Sequence, residues 1–171
     1  MKNISRLSGN LIISPEENVI FECGVFENAT IDANYGNVKF MNCTFLNDIC
    51  IKNAKNVTIY MSTILFDSSN KRVSAKIFGD NIDMEYVYIN DIKGNSVVKC
   101  VSDNIETRNL VFDSVNEKES YLDIIANTYK VDASLINVRK NFSMKDNMEE
   151  IKLTEEMELE LSNGKGDEVD E

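Results

Sequence analysis

The chain reads as an all-β protein, a single-stranded parallel β-helix (solenoid) of about six to seven coils, on three observations. An asparagine-headed template recurs at Asn18, Asn37, Asn56, Asn81 and Asn104, and once more, with the asparagine lost, at Thr128. The spacings are 19, 19, 25, 23 and 24 residues, and periods of this length mark stacked repeats. Within each unit, apolar residues fall one and three steps after the head, then six and eight. Each pair has period two, the signature of a strand with one buried face.

Each element follows from that template. The first pairs are Val19/Phe21, Val38/Phe40, Val57/Ile59, Ile82/Met84, Ile105/Thr107 and Tyr129/Val131. Parity shifts before the second pairs, which end on Phe26, Phe45, Ile64, Ile89, Phe112 and Ile136, so a bend must separate the two strands. The step-six residues, Gly24, Cys43, Ser62, Val87, Leu110 and Ser134, are mostly small, as a crowded corner requires. A third apolar stretch follows in each unit, at Ile31, Ile49/Ile51, Val73/Ala75/Ile77, Val97 or Val98, and Leu122/Ile124. Three strands per coil, stacked at the 4.8 Å strand spacing, make a cylinder about 30 Å long. The recurrent asparagines suit turns with left-handed backbone, and their amides can bond to the copy above. A strand-rich sandwich would also show many short strands, but it predicts no common template.

The ends depart from the repeat. Met1 to Pro15 reads as an irregular first coil around Leu11 and Ile13, with Pro15 at the connection into the repeats. Near the C-terminus Ile151, Leu153, Met157, Leu159 and Leu161 share parity, which predicts a β segment capping the last coil or pairing with another subunit. The expected organisation is one domain over 1–162, repeats within about 10–145, and a disordered acidic tail over 163–171.

Composition limits the function classes. The net charge is −11, but residues 155–171 hold eight acids against Lys165, a net of −7, leaving −4 for the other 154 residues. No cluster of Lys and Arg is dense enough for direct nucleic-acid binding. No apolar run reaches membrane-spanning length, and the N-terminus lacks a secretory h-region. The expectation is cytoplasmic synthesis without a signal peptide and no membrane partner. Histidine is absent and the four cysteines, Cys23, Cys43, Cys50 and Cys100, form no C-x-x-C pair. Neither a metal site, a cofactor nor a disulfide is expected.

Two surfaces are candidates for binding. The residues added beyond the 19-residue period fall after the second strand, at 67–72, 91–96 and 113–120. Insertions at equivalent places emerge side by side, giving a ridge with Asp67, Lys71, Arg72, Asp91, Lys93, Asp113 and Lys118. Alternation turns Met41 and Tyr60 outward, with Tyr86 and Tyr88 near the next strand, an aromatic face fit for a sugar or a protein partner.

Units such as Asn37-Val38-Lys39-Phe40-Met41-Asn42-Cys43-Thr44-Phe45 resemble the repeats of the pectate-lyase-like, right-handed parallel β-helix superfamily over residues 10–145. The resemblance implies a right-handed coil. The Asn-x-Asp, Asp-Asp and Gly-His-Gly groups of its polygalacturonase-like members are absent. A lyase would need a calcium-binding carboxylate cluster beside an Arg base, for which Asp67, Asp91 and Asp113 with Arg72 are the candidates. The first coils are also similar to pentapeptide-repeat proteins, with Phe21, Phe26 and Ile31 then Phe40, Phe45 and Cys50 every five residues. That likeness implies an acidic inhibitor or DNA mimic binding a basic host enzyme. Small histidine-free β-helices also resemble phage or virion appendages and the bactofilin polymers. The reading is a non-catalytic structural and binding protein, a phage or virion component in the virion or host cytoplasm. It would act through protein or glycan partners and homo-oligomeric assembly. The alternatives are the inhibitor and a carbohydrate-active lyase or hydrolase.

Overall fold

The computed structural model describes residues 5–68 and 71–145. Within them lie eleven strands: β1 (Arg6–Ile12), β2 (Asn18–Glu22), β3 (Val25–Asp32), β4 (Asn37–Met41), β5 (Thr44–Tyr60), β6 (Thr63–Phe66), β7 (Val73–Glu85), β8 (Tyr88–Asp91), β9 (Ser96–Ser114), β10 (Tyr121–Ile136) and β11 (Arg139–Met144). Every pairing among them is parallel. The architecture is a right-handed parallel β-helix of about six turns.

The columns expected from the template are present. Val19, Val38, Val57, Ile82 and Ile105 stack in register, as do Phe21, Phe40, Ile59, Met84 and Thr107. Phe26, Phe45, Ile64, Ile89 and Phe112 line the second wall, and Ile31, Ile51, Ile77, Cys100 and Ile124 the third. All of these side chains are buried. The first two coils fill their centre with aromatic rings: Phe21 stacks on Phe40 at 5.1 Å and Phe26 on Phe45 at 5.3 Å, while Phe40 meets Phe45 edge-on. Each buried Phe contributes about 1.5–3 kcal/mol by area, which is why coils that bury little alone are stable when stacked.

The recurrent asparagines form a ladder. Asn37, Asn56, Asn81 and Asn104 each donate Nδ2 to the Oδ1 of the head one coil earlier, at 2.5, 2.6, 2.9 and 2.9 Å. Thr128 continues it by donating Oγ1–H to Asn104. The heads themselves are not left-handed. That conformation sits five steps later, at Cys23, Asn42, Met61, Tyr86 and Asn109, with φ between 47° and 56°, and recurs farther along the coils at Asn28, Asn47 and Asn53. The corner between first and second strands is therefore one left-handed bend of the coil, and the heads are strand starts held by amide pairing.

The sixth coil departs from the template. Val131 pairs with Thr107, but Ala133, not Ser134, pairs with Leu110, and Leu135, not Ile136, with Phe112. One corner residue fewer than in the coil before inverts the side-chain parity. Ala133 and Leu135 pack against the core, while Ile136 stays exposed. Tyr129 is also exposed. In the third stretch Val98 faces inward and Val97 outward. β1 supplies the irregular opening coil, running beside β3. The capping segment expected over 151–161 and the tail over 163–171 lie outside the described residues.

Candidate functional site

The aromatic residues converge at the corner between the first and second strands of the third and fourth coils. Tyr60 ends a first strand, stacked in register on Met41 below and facing Glu85 above. Met61 and Tyr86 occupy the left-handed corner position of successive coils, and Tyr88 begins the next second strand. The Tyr60 and Tyr86 rings meet edge-to-face at 6.1 Å. Met61 and Tyr86 are each 52% exposed and Tyr88 40%. With Ser62 and Thr63 they enclose a shallow depression of about 540 Å³. Met41 lies one coil below this depression and does not line it.

The ridge divides into different environments. Asp67 is exposed and takes its backbone bond from N–H to the Asn47 side chain, at 3.0 Å. Lys71 pairs with Asp48 at 2.5 Å. Lys93 and Lys118 are exposed, and Asp113 is half-buried. Asp91 is not on the surface at all: it is 0% exposed. Its carboxylate accepts from the backbone N–H of Gly94 at 2.8 Å and Ser96 at 3.0 Å, and from the hydroxyls of Ser96 and Ser120, each at 2.6 Å. Burial pushes its pKa up, but the Ser120 and Ser96 hydroxyls and the two amides outweigh that and hold it below the ordinary carboxylate value. Ser96 and Ser120 close the loops of two consecutive coils, so Asp91 clips those loops together. Gly94 permits the close approach: it has φ 72°, and a Cβ there would meet Asn116 Cβ at 2.4 Å.

The three ridge aspartates do not form one column. Asp91 pairs in register with Phe66 and Ser114, while Asp113 pairs with Asn90. Asp67 is one residue beyond Phe66 and Asp113 one before Ser114, so strand alternation turns them away from the wall to which Asp91 belongs. The carboxylates proposed for a catalytic cluster are thus apart, and the central one is consumed by internal bonds.

Arg72 belongs to a second surface that the sequence did not assemble. On the third face, Ser74, Val97, Tyr121 and Arg139 make one outward column, and Lys76, Lys99, Asp123 and Asn141 the next. Between these columns runs a groove of about 500 Å³, bordered by Arg72. The guanidinium groups of Arg72 and Arg139 each lie 5.4 Å from the centre of the Tyr121 ring. Arg139 also donates to the Tyr121 hydroxyl at 2.9 Å, and Arg72 to the Glu119 carbonyl at 3.2 Å. Lys99 pairs with Asp123 at 3.8 Å. Burial nevertheless leaves the Asp123 pKa above its ordinary value, because Lys99 and the Asn141 amide offset the desolvation only in part.

The four cysteines are free: Cys43 and Cys100 are buried, Cys50 is half-buried, and Cys23 is exposed. Burial, with Asp123 nearby, pushes the Cys100 thiol up to about 12. No family model matches the chain, and neither a curated protein nor a solved structure does.

Proposed function

We propose that the chain is a non-catalytic β-helical binding module whose aromatic corner holds a glycan. The observation that carries this reading is where the large side chains sit. The left-handed corner suits asparagine, and the second and fifth coils place Asn42 and Asn109 there. The third and fourth coils place Met61 and Tyr86 in the same conformation, half exposed. A bulky residue in that conformation costs about 1–2 kcal/mol, and such strain concentrates where a side chain is needed for something other than folding. Edge-to-face tyrosines beside Thr63 offer ring faces to sugar C–H groups and hydroxyls to sugar oxygens. With six lining residues the depression is small for a protein partner, whose interface takes about 20–30 residues a side. The separation of Asp67, Asp91 and Asp113 favours binding over catalysis.

The test is a glycan array followed by titration of tyrosine fluorescence, which is unobscured because the chain has no tryptophan. Tyr86→Asn should weaken glycan binding about tenfold or more while unfolding stability stays level or rises by about 1 kcal/mol. Undiminished glycan binding in that variant, or no glycan retained by the unsubstituted chain, defeats the proposal. Self-association through the coil ends is a second reading, favoured by Tyr129 of the sixth coil, which is 42% exposed although it pairs in register with the buried Ile105. Sedimentation over a wide concentration range decides it, a strict monomer counting against it.

A further inference from the structure

We propose that the groove on the third face docks an extended acidic peptide segment of a partner protein, independently of the aromatic corner. Charge reverses locally at this groove. On a chain with 29 acidic against 18 basic side chains, the groove gathers Arg72, Lys76 and Lys99 around the single carboxylate of Asp123, and Arg139 stands beside it in register with Tyr121. Lys99 pairs with Asp123 at 3.8 Å. Arg72, Lys76 and Arg139 have no carboxylate partner among the described residues. Lys76 is exposed on its strand and neighbours Lys99 in register, one coil away. Two like charges at that spacing repel, and an anionic ligand removes the repulsion.

The groove also selects among anions. Val97 and the Tyr121 ring lie between the cations, giving an apolar strip beside a charged one. An extended peptide alternates its side chains and so presents a carboxylate to one strip and an apolar group to the other. The columns span three coil spacings, about 14 Å, which is four to five residues of extended chain. Both guanidinium groups already lie against Tyr121, leaving its ring a poor platform for a base or a sugar. Arg72, Lys76 and Lys99, with Asp123 among them, are too few cations to neutralise a run of nucleic-acid phosphates.

The test uses the full chain and a fluorescein-labelled peptide of alternating glutamate and leucine, followed by anisotropy. Expected are saturable binding that weakens with added salt and a loss of about tenfold on Lys76→Glu or Arg72→Glu, each removing a charge-assisted contact. Asp123→Asn should tighten binding several-fold, a gain that mere damage to the fold would not produce. Lys130→Glu, on the first face and 84% exposed, and Tyr86→Asn should leave it unchanged. Circular dichroism checks that each variant keeps its sheet. The proposal is overturned by no saturation, by equal affinity in the Lys76 and Arg72 variants, or by tighter binding of an oligouronate or a DNA duplex than of the peptide.

Discussion

Replacing Asp91 with alanine should be among the most damaging single changes in this chain, and the size of the effect follows from its four closest donors. The two hydroxyls can adapt: Ser120 Oγ already lies 2.8 Å from Ser114 Oγ and can turn to it, and the Ser96 hydroxyl can rotate about its own bond. The amides of Gly94 and Ser96, bonded to Asp91 at 2.8 and 3.0 Å, cannot reorient without moving the loop. Each buried donor left unpaired costs about 1–3 kcal/mol, so Asp91→Ala should lose about 3–5 kcal/mol, the range reserved for broken buried networks. Asp91→Asn keeps one acceptor oxygen for one amide and presents an NH₂ to the other, so a loss of about 2 kcal/mol is expected. The assay is urea unfolding, with the loss appearing in the midpoint at unchanged slope. Asp67→Ala, at an exposed site, serves as the control and should stay within about 0.5 kcal/mol. A loss below about 1 kcal/mol for Asp91→Ala would refute the reasoning, because it would mean the loops close without the carboxylate. Asp91 also touches the groove at one remove: Ser120 follows Glu119, whose carbonyl anchors Arg72. The alanine variant should therefore weaken peptide docking even under conditions where it stays folded.

Two further outcomes can be measured. Asn56→Ala removes both the donor to Asn37 and the acceptor for Asn81, and should cost about 1–2 kcal/mol at the two half-satisfied amides it leaves. Lowering the pH should destabilise the fold below about 3.8, the ordinary carboxylate value from which Asp91 and Asp32 are shifted down. The unfolded chain then binds protons more readily than the folded one, so stability held above that value is lost as pH falls through the folded pKa. Unfolding curves that do not change between pH 5 and about pH 2.5 would contradict the shifts.

The walls of the solenoid were legible because strand alternation is local: Val19 and Phe21, then Gly24 and Phe26, already show two inward pairs and a bend between them. Asn18 and its successors were legible as a column, though not as strand starts. The left-handed corner had a signal of its own in Asn42 and Asn109, five steps after their heads, hidden because Met61 and Tyr86 replace asparagine in the coils between. The displaced parity of the sixth coil hinges on a single missing corner residue, which no apolar pattern marks when Leu135 and Ile136 stand side by side. Asp91 reads as a surface acid because its burial is made tolerable by serines from two separate loop closures. The groove was invisible for a similar reason. Lys76, Lys99 and Asp123 become neighbours only once unequal loops have been subtracted.

The ladder of amides makes length negotiable. Asn18, Asn37 and Asn56 offer the same oxygen upward, and Asn37 and Asn56 the same N–H downward, so one head can follow another. Excising residues 37–55 would seat Asn56 on Asn18 with Val57 on Val19, shortening the barrel by one storey without a mismatched seam. A chain built this way can gain or shed whole storeys by duplication or deletion while the corner and the groove above them keep their shape.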